Sequence, residues 1–425
     1  MKNGATSRAG YSSRWSRLGV AVAATLFGLL AAEGVTRICL RATPPPADAP
    51  YAADPDFDYK LRPGPFWEDG RDPSDSVNTF GFRDREWTAQ KLPHTYRVLT
   101  IGDSFVFGTA PRGENFPEVA EARLDSAMAG TVARIDLLRA GLGGFSPEHY
   151  VGVLRSLLPR VDADGLVLCL YVGNDITSIA VRGRVLRGEL YYQGSASPAR
   201  ALLRRSEMFL VLEKAFLARG GERAAALLVG RGGGGSREEG DVPKAGGSAR
   251  STESAASSAH TMELAASYLL TTRGQLPVFA RTPDARTARA WRRVEACLQT
   301  FDDLCREADT PWRLVLIPSE LQIDRDVRQR VLAALGRGDN DRDDSDNDRD
   351  PAFDWDAPQR RLKAWAAAQG VPTLDLLPVL RARPERLYLV NDTHFNRVGH
   401  RVAGETLAEW LASDSLAPSA TLPNP

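Results

Sequence analysis

The stretch Arg97-Val98-Leu99-Thr100-Ile101-Gly102-Asp103-Ser104 decides how this chain is read. Its first five residues form a short apolar run of strand length, and Gly102 ends it. Beyond it, Asn115 to Ala129 carries the apolar spacing of a helix. A serine at a strand-to-helix junction sits at the carboxyl end of a parallel strand, the edge where open α/β sheets hold their ligands. Its backbone N–H can share a crevice with the next helix's N-terminus, where developing negative charge is favoured. Taken alone, Gly-Asp-Ser is also ordinary turn or cap chemistry.

Strand and helix patterns alternate outward from this point. Arg134 to Leu138 reads as a second strand, His149 to Leu158 as a helix, and Gly165 to Tyr171 as a third strand. Arg313 to Ile317 and Pro372 to Leu376 read as the fourth and fifth. Strands that are apolar on both faces belong in a parallel sheet covered on both sides by helices. The helices predicted between and after them are Asp284 to Ala308 with Asp284 as N-cap, Pro358 to Gln369, and Asn396 to Ser413. Arg200 to Leu217 and Glu222 to Val229 also look helical.

Two stretches interrupt the alternation. Gly230 to Ala259 is dominated by Gly, Ser, Ala, Arg and Glu, and buries too little apolar surface to order itself. Gly336 to Asp350 is acidic. Asp339, Asp341, Asp343 and Asp350 fall at calcium-loop positions, but Asp344 stands where that loop needs glycine, so it reads as a solvated loop. Residues 42–75 are rich in Pro and Asp and read as a linker that wraps onto the domain.

The N-terminus points to a membrane. Lys2, Arg8, Arg14 and Arg17 precede an uncharged run from Leu18 to Ala32, and apolar residues continue through Val35, Ile38 and Leu40. That gives about 23 residues, enough to cross a bilayer at 1.5 Å per residue. Glu33 and Arg37 are i,i+4 partners that can neutralise each other near the outer interface. The basic flank predicts an inside N-terminus, with the rest of the chain outside the cytoplasm. A cleaved signal peptide is the competing reading. Its best site, Ala32 and Gly34 around Glu33, is a poor one, so an uncleaved anchor is expected.

Composition narrows the chemistry. Lys plus Arg equals Asp plus Glu at 54 each, so no overall field points to nucleic acid. The four cysteines form no CxxC pair and have no histidine at zinc-ligand spacing. Cys297 and Cys305 fall on one predicted helix, roughly 12 Å apart, too far to bridge.

Three further signals follow strands or precede the last helix. Ala140-Gly141-Leu142-Gly143-Gly144-Phe145 brings glycines that let backbone approach a ligand, or simply turn the chain. Tyr171-Val172-Gly173-Asn174-Asp175 brings an amide with two donors, again in ordinary turn chemistry. Asp175 beside it is suited to accept backbone N–H bonds and shape that loop. Asp392-Thr393-His394 brings an acid close enough to hold an imidazole tautomer, though Asp392 could equally start a helix. Each signal has a structural explanation alone; together, in this order, they are harder to dismiss.

The four blocks resemble the SGNH hydrolase superfamily, the GDSL-type esterases and lipases, in its membrane-anchored bacterial form. The resemblance covers about 77–180 and 310–412. It implies Ser104 as nucleophile, His394 as base, and an oxyanion hole from the Ser104 and Gly144 N–H groups with the Asn174 amide. The family's commonest last block is DxxH. Here the residue three before His394 is Asn391, and the acid stands closer, as Asp392. Val77-Asn78-Thr79-Phe80-Gly81-Phe82-Arg83 looks like a segment that often precedes the serine block in anchored members, and Arg83 is suited to pair with a carboxylate and lock the linker down. No GxSxG elbow surrounds Ser104, which argues against the α/β-hydrolase fold.

The expected architecture is a three-layer α/β/α fold with a five-stranded parallel sheet in flavodoxin-like order, plus one N-terminal transmembrane helix. The expected organisation is a basic tail at 1–17, an anchor at 18–40, a linker at 41–76, a catalytic domain at 77–415 and a tail at 416–425. Inserts fall at 178–310, with 230–259 disordered, and at 336–350. The expected activity is hydrolysis of a carboxylic ester, an acylated carbohydrate or a lipid, outside the inner membrane. No cofactor, metal or nucleic acid is needed. An O-acyltransferase with the same triad and a non-catalytic glycan-binding envelope protein are the alternatives. His149 reads as a helix-surface histidine rather than a pocket residue, His400 as structural, and the tryptophans as core and rim, with Trp355 as a candidate sugar contact.

Overall fold

The computed structural model describes residues 9–65, 75–127, 134–179, 181–193, 202–216, 264–337 and 352–413. The chain opens with a long helix, α1 (Ala9–Ala42), then two small antiparallel pairs: β1 (Tyr51–Asp54) with β2 (Asp58–Leu61), and β3 (Gly64–Pro65) with β4 (Ser76–Val77). The described part of the stretch read as a linker is therefore structured. Phe57, Tyr59 and Leu61 alternate inward and are buried, which anchors the segment on the domain despite its Pro- and Asp-rich surroundings.

The main sheet has five parallel strands. These are β5 (Thr95–Gly102), β6 (Arg134–Gly141), β7 (Gly165–Tyr171), and, beyond the hairpin of β8 (Arg182–Leu186) and β9 (Glu189–Gln193), β10 (Trp312–Ile317) and β11 (Thr373–Asp375). Their spatial order is β6-β5-β7-β10-β11, every pairing parallel. Numbered by appearance that is 2-1-3-4-5, the flavodoxin-like order, with its switch point beside β5. The expected fold class is the observed one. The hairpin was not foreseen: Glu189 to Gln193 is too short to signal without its partner.

Side chains along the strands alternate between two cores. Leu99 and Ile101, Leu138 and Ala140, and Leu166, Leu168 and Leu170 face one cluster. Val98, Ile135, Leu137, Val167 and Cys169 face the other. Each fully buried aliphatic side chain contributes about 1.5–3 kcal/mol, so both layers are needed to hold the sheet. The first cluster packs under α4 (Pro147–Leu157) and, past α5 (Ala266–Gln275), under α6 (Ala285–Glu307). The second is covered by α3 (Phe116–Ala127), which follows the short α2 (Ser104–Phe107), and by the last helix, Arg397–Ser413.

The helix expected over 200–217 is interrupted. Ser206 accepts a bond from Phe209 N–H and starts a new helical stretch at 207–216. The helix expected at Glu222 to Val229, the insert at 230–259, the calcium-like aspartates of 336–350 and the tail at 416–425 lie outside the described residues. Within α1, the 26 residues Arg17–Ala42 are long and apolar enough to cross a membrane.

Candidate active site

Three of the strand ends that meet at the switch point carry the residues singled out by sequence. Ser104 begins α2 directly after β5. Gly102 is required there: a Cβ would lie 2.4 Å from Val106 Cγ2 and 3.1 Å from the Cys169 carbonyl. Only a residue without a side chain lets α2 fold back this tightly on β5 and β7. Asp103 caps α2, accepting from Phe105 N–H at 3.0 Å, and also holds the Asn174 side chain.

Asp392 and His394 lie on a tight turn rather than on a helix. Tyr388 and Phe395 form an antiparallel bridge, and Leu389 N–H donates to the His394 carbonyl at 2.9 Å. Asn391 takes a left-handed conformation with φ 54°, which Asn tolerates, and its side chain accepts from Ala265 N–H. Asp392 is not a helix cap: the last helix starts later, where Asn396 accepts from Gly399 N–H. Asp392 Oδ1 instead accepts from the His394 backbone N–H at 3.0 Å and lies 2.5 Å from His394 Nδ1. His394 Nε2 lies 2.8 Å from Ser104 Oγ. The imidazole packs on Phe105, ring centroids 5.4 Å apart.

The electrostatics favour a proton-accepting histidine. Burial alone would lower the His394 pKa, but the Asp392 hydrogen bond and charge, with the charge of Asp103, hold it above 6.5. Burial would raise Asp392, and its bonds to His394 hold it below the usual carboxylate value. Asp103, fully buried, is pushed up to about 6 by desolvation, against the pull of Phe105 N–H and His394. Asp175 is raised well above its ordinary value by burial and by Asp103. It accepts from Tyr171 N–H and Tyr150 Oη, both at 2.9 Å, and so ties the Asn174 loop to β7 and α4.

Gly144 has φ 81°, and a Cβ there would sit 2.3 Å from the Tyr192 hydroxyl. Tyr192 comes from β9 and Tyr59 from β2. Tyr59 Oη donates to the Gly143 carbonyl at 2.8 Å, and Tyr192 Oη approaches the same oxygen at 3.5 Å. Sequence reasoning missed both tyrosines. The alternation of Phe57, Tyr59 and Leu61 was the one available signal for Tyr59, and no signal in the sequence points to Tyr192.

Two expectations are corrected. His149 is not on a helix surface: it is buried, its Nδ1 accepts from Ser146 N–H, and its ring stacks on Phe145. Nor does it line the site, because Tyr59 and Phe145 cover it. Trp355 is buried between Phe279 and Phe353 and is closed to a sugar. His400 is structural as expected. Buried between Thr109 and the Phe116 N–H, it is depressed by desolvation to about 3 and stays neutral.

No family model matches the chain, and no curated protein matches it. Solved structures do show similarity. A member of the lipolytic protein G-D-S-L family from Veillonella parvula is 12% identical, with a TM-score of 0.35, over 75% of this chain and 98% of its own. An acetyl xylan esterase is 12% identical with a TM-score of 0.36, over 74% and 98%. A carbohydrate acetylesterase family member from Sinorhizobium meliloti is 14% identical with a TM-score of 0.32, over 75% and 98%. These likenesses are distant.

Proposed function

We propose that this chain is a membrane-anchored serine esterase of the SGNH hydrolase type. The observation that carries the reading is the relay from Asp392 to His394 Nδ1 and from His394 Nε2 to Ser104 Oγ, at 2.5 and 2.8 Å. A nucleophile within reach of a base, itself oriented by an acid, is the arrangement of acyl transfer. His394 takes the Ser104 proton as Oγ attacks the ester carbonyl, and Asp392 stabilises the imidazolium. The tetrahedral oxyanion is received by the Ser104 and Gly144 N–H groups and the Asn174 amide, each worth about 3 kcal/mol in such a hole. His394 protonates the leaving alcohol, then activates the water that releases the acid.

The substrate class is a carboxylic ester, an O-acetylated carbohydrate or a lipid acyl ester. Side chains of His394 and Asp392 are 27% and 41% exposed, so water reaches the base, which favours hydrolysis over transfer to a second alcohol. The helix Ala9–Ala42 serves as a single-pass anchor in the inner membrane, with the basic N-terminus inside and the site outside the cytoplasm.

The test is hydrolysis of nitrophenyl esters from acetate to palmitate by the full chain in detergent, with Ser104→Ala beside it. Turnover that disappears in the variant supports the esterase, and the preferred chain length separates deacetylase from lipase. Turnover that survives Ser104→Ala overturns the assignment. A folded, inactive wild type that gains turnover on adding a sugar acceptor is a transferase instead.

A further inference from the structure

The anchor helix contains one acid in an otherwise uncharged stretch. Glu33 stands between Ala32 and Gly34, with no other charge from Leu18 until Arg37. Seven residues separate it from Leu40, about 10 Å along the axis at helical rise. If Leu40 marks the outer edge of the hydrocarbon, Glu33 lies well inside it, where an unpaired carboxylate is strongly disfavoured.

Arg37 Nε donates to Glu33 at 2.7 Å. The other donors come from more than 170 residues later in the chain: Ser206 Oγ at 2.6 Å, Glu207 N–H at 3.0 Å and Met208 N–H at 3.1 Å. Glu33 therefore closes the first turn of the helical stretch 207–216, taking the unsatisfied N–H groups and the positive end of its dipole. A group so bonded holds that stretch at its own depth.

The stretch has two faces. Glu207, ion-paired with Arg184 of β8, and Leu210 are buried. Leu212 and Phe216, one helical turn apart, are 60% and 67% exposed, and Leu202 and Leu203 just before are 64% and 51% exposed. Large apolar groups left mostly exposed among the described residues, tied to a spanning helix about 10 Å below its outer end, match the depth at which interfacial helices bury their apolar face, about 5–10 Å.

We infer that residues 202–216 form a second membrane contact, seated in the outer leaflet with Leu202, Leu203, Leu212 and Phe216 in lipid, and that Glu33 is the latch holding them there. The inference rests on reading α1 as a span. Its consequence concerns the site: the hairpin that pairs with this stretch through Arg184 also carries Tyr192, against Gly144. The seat sets the height of the oxyanion loop over the lipid surface.

The experiment uses the full chain with Cys39→Ser and Cys297→Ser, bearing a single nitrobenzoxadiazole-labelled cysteine at Phe27, Leu212, Phe216 or Glu409. Each is reconstituted in nanodiscs of phosphatidylcholine and phosphatidylglycerol, with or without an acyl-chain nitroxide lipid. The expected result is quenching at 27, 212 and 216 several-fold above that at 409, an exposed position on the last helix. Glu33→Gln or Ser206→Ala is expected to reduce quenching at 216 and leave 27 unchanged. Quenching at 27 with 212 and 216 no higher than 409 overturns the seat while the anchor stands. Blue-shifted emission at 216 without lipid quenching means a second copy or another protein covers the face, and overturns the lipid assignment. Loss of quenching at 27 removes the span and the inference with it.

Discussion

Gly143 presents its carbonyl to the Tyr59 hydroxyl, and a trans peptide then turns the Gly144 N–H to the opposite side, away from the tyrosines. Tyr59 is thus a positioning residue for one of the proposed oxyanion donors. Removing an oxyanion donor outright costs about 10²–10³ in kcat, and loosening one should cost less. Tyr59→Phe is expected to lower kcat about tenfold on nitrophenyl acetate with KM nearly unchanged, the pattern of an interaction made only in the transition state. A parallel rise in KM with kcat intact would place Tyr59 in ground-state binding. His394 belongs to the same scale. Its proton must be absent for it to accept one from Ser104, and its pKa is held above 6.5. Activity should therefore be present at high pH and fall on acidification through a midpoint above 6.5 in the kcat/KM profile. Asp392→Asn removes the main raising influence, so the residual activity should show a lower midpoint. A midpoint that does not move would remove Asp392 from its proposed role.

Between elements, the segment before the serine block is held by Arg83. Its guanidinium pairs with Asp75, both side chains 1% exposed, and donates to the carbonyls of Gly108 and Ala110 behind α2. Arg83 was expected to lock the linker through a carboxylate, and the clamp also reaches the loop that follows α2. Removing one partner strands a buried charge, which costs about 3–5 kcal/mol. Arg83→Ala should lose about that much in urea unfolding. A loss below about 1 kcal/mol would mean water replaces the arginine. Among the elements that sequence reasoning lacked is the β8–β9 hairpin, and with it Tyr192. Its strands are five residues each, and half-buried on a domain flank they carry little of the two-residue apolar alternation that marks a strand.

Across the whole molecule, the two cores lie on either side of one sheet, and α1 contributes to neither. A chain begun at Thr43 should therefore keep its fold and its hydrolysis. It loses the Glu33 cap, typically about 1 kcal/mol, so Tm should fall by about 2–4 °C. A larger fall, or loss of turnover on soluble esters, would show that α1 is part of the domain's stability. The 2-1-3-4-5 order also explains why the loops that carry Ser104, Gly144 and Asn174, which follow β5, β6 and β7, open at the same edge beside the switch point.

Local chemistry determined much of this in advance. Runs such as Gly165 to Tyr171, apolar on both faces, can only be buried strands. Asp284 capping a periodic stretch sets a helix start, and the strand-glycine-serine junction places the serine at a carboxyl edge whatever lies elsewhere. The short spacing from Asp392 to His394 likewise limits what the acid can reach. Tertiary structure decided the rest, because those contacts join residues with no local relation. Tyr59 and Tyr192 meet over Gly143 only after β2 and the hairpin pack together, and His149 is buried only because Tyr59 and Phe145 close over it. Glu33 finds its donors in Ser206, Glu207 and Met208 only once the chain has folded back on α1. Spacing reports on hydrogen bonds within one turn or one strand, whereas these depend on which faces the whole fold brings together.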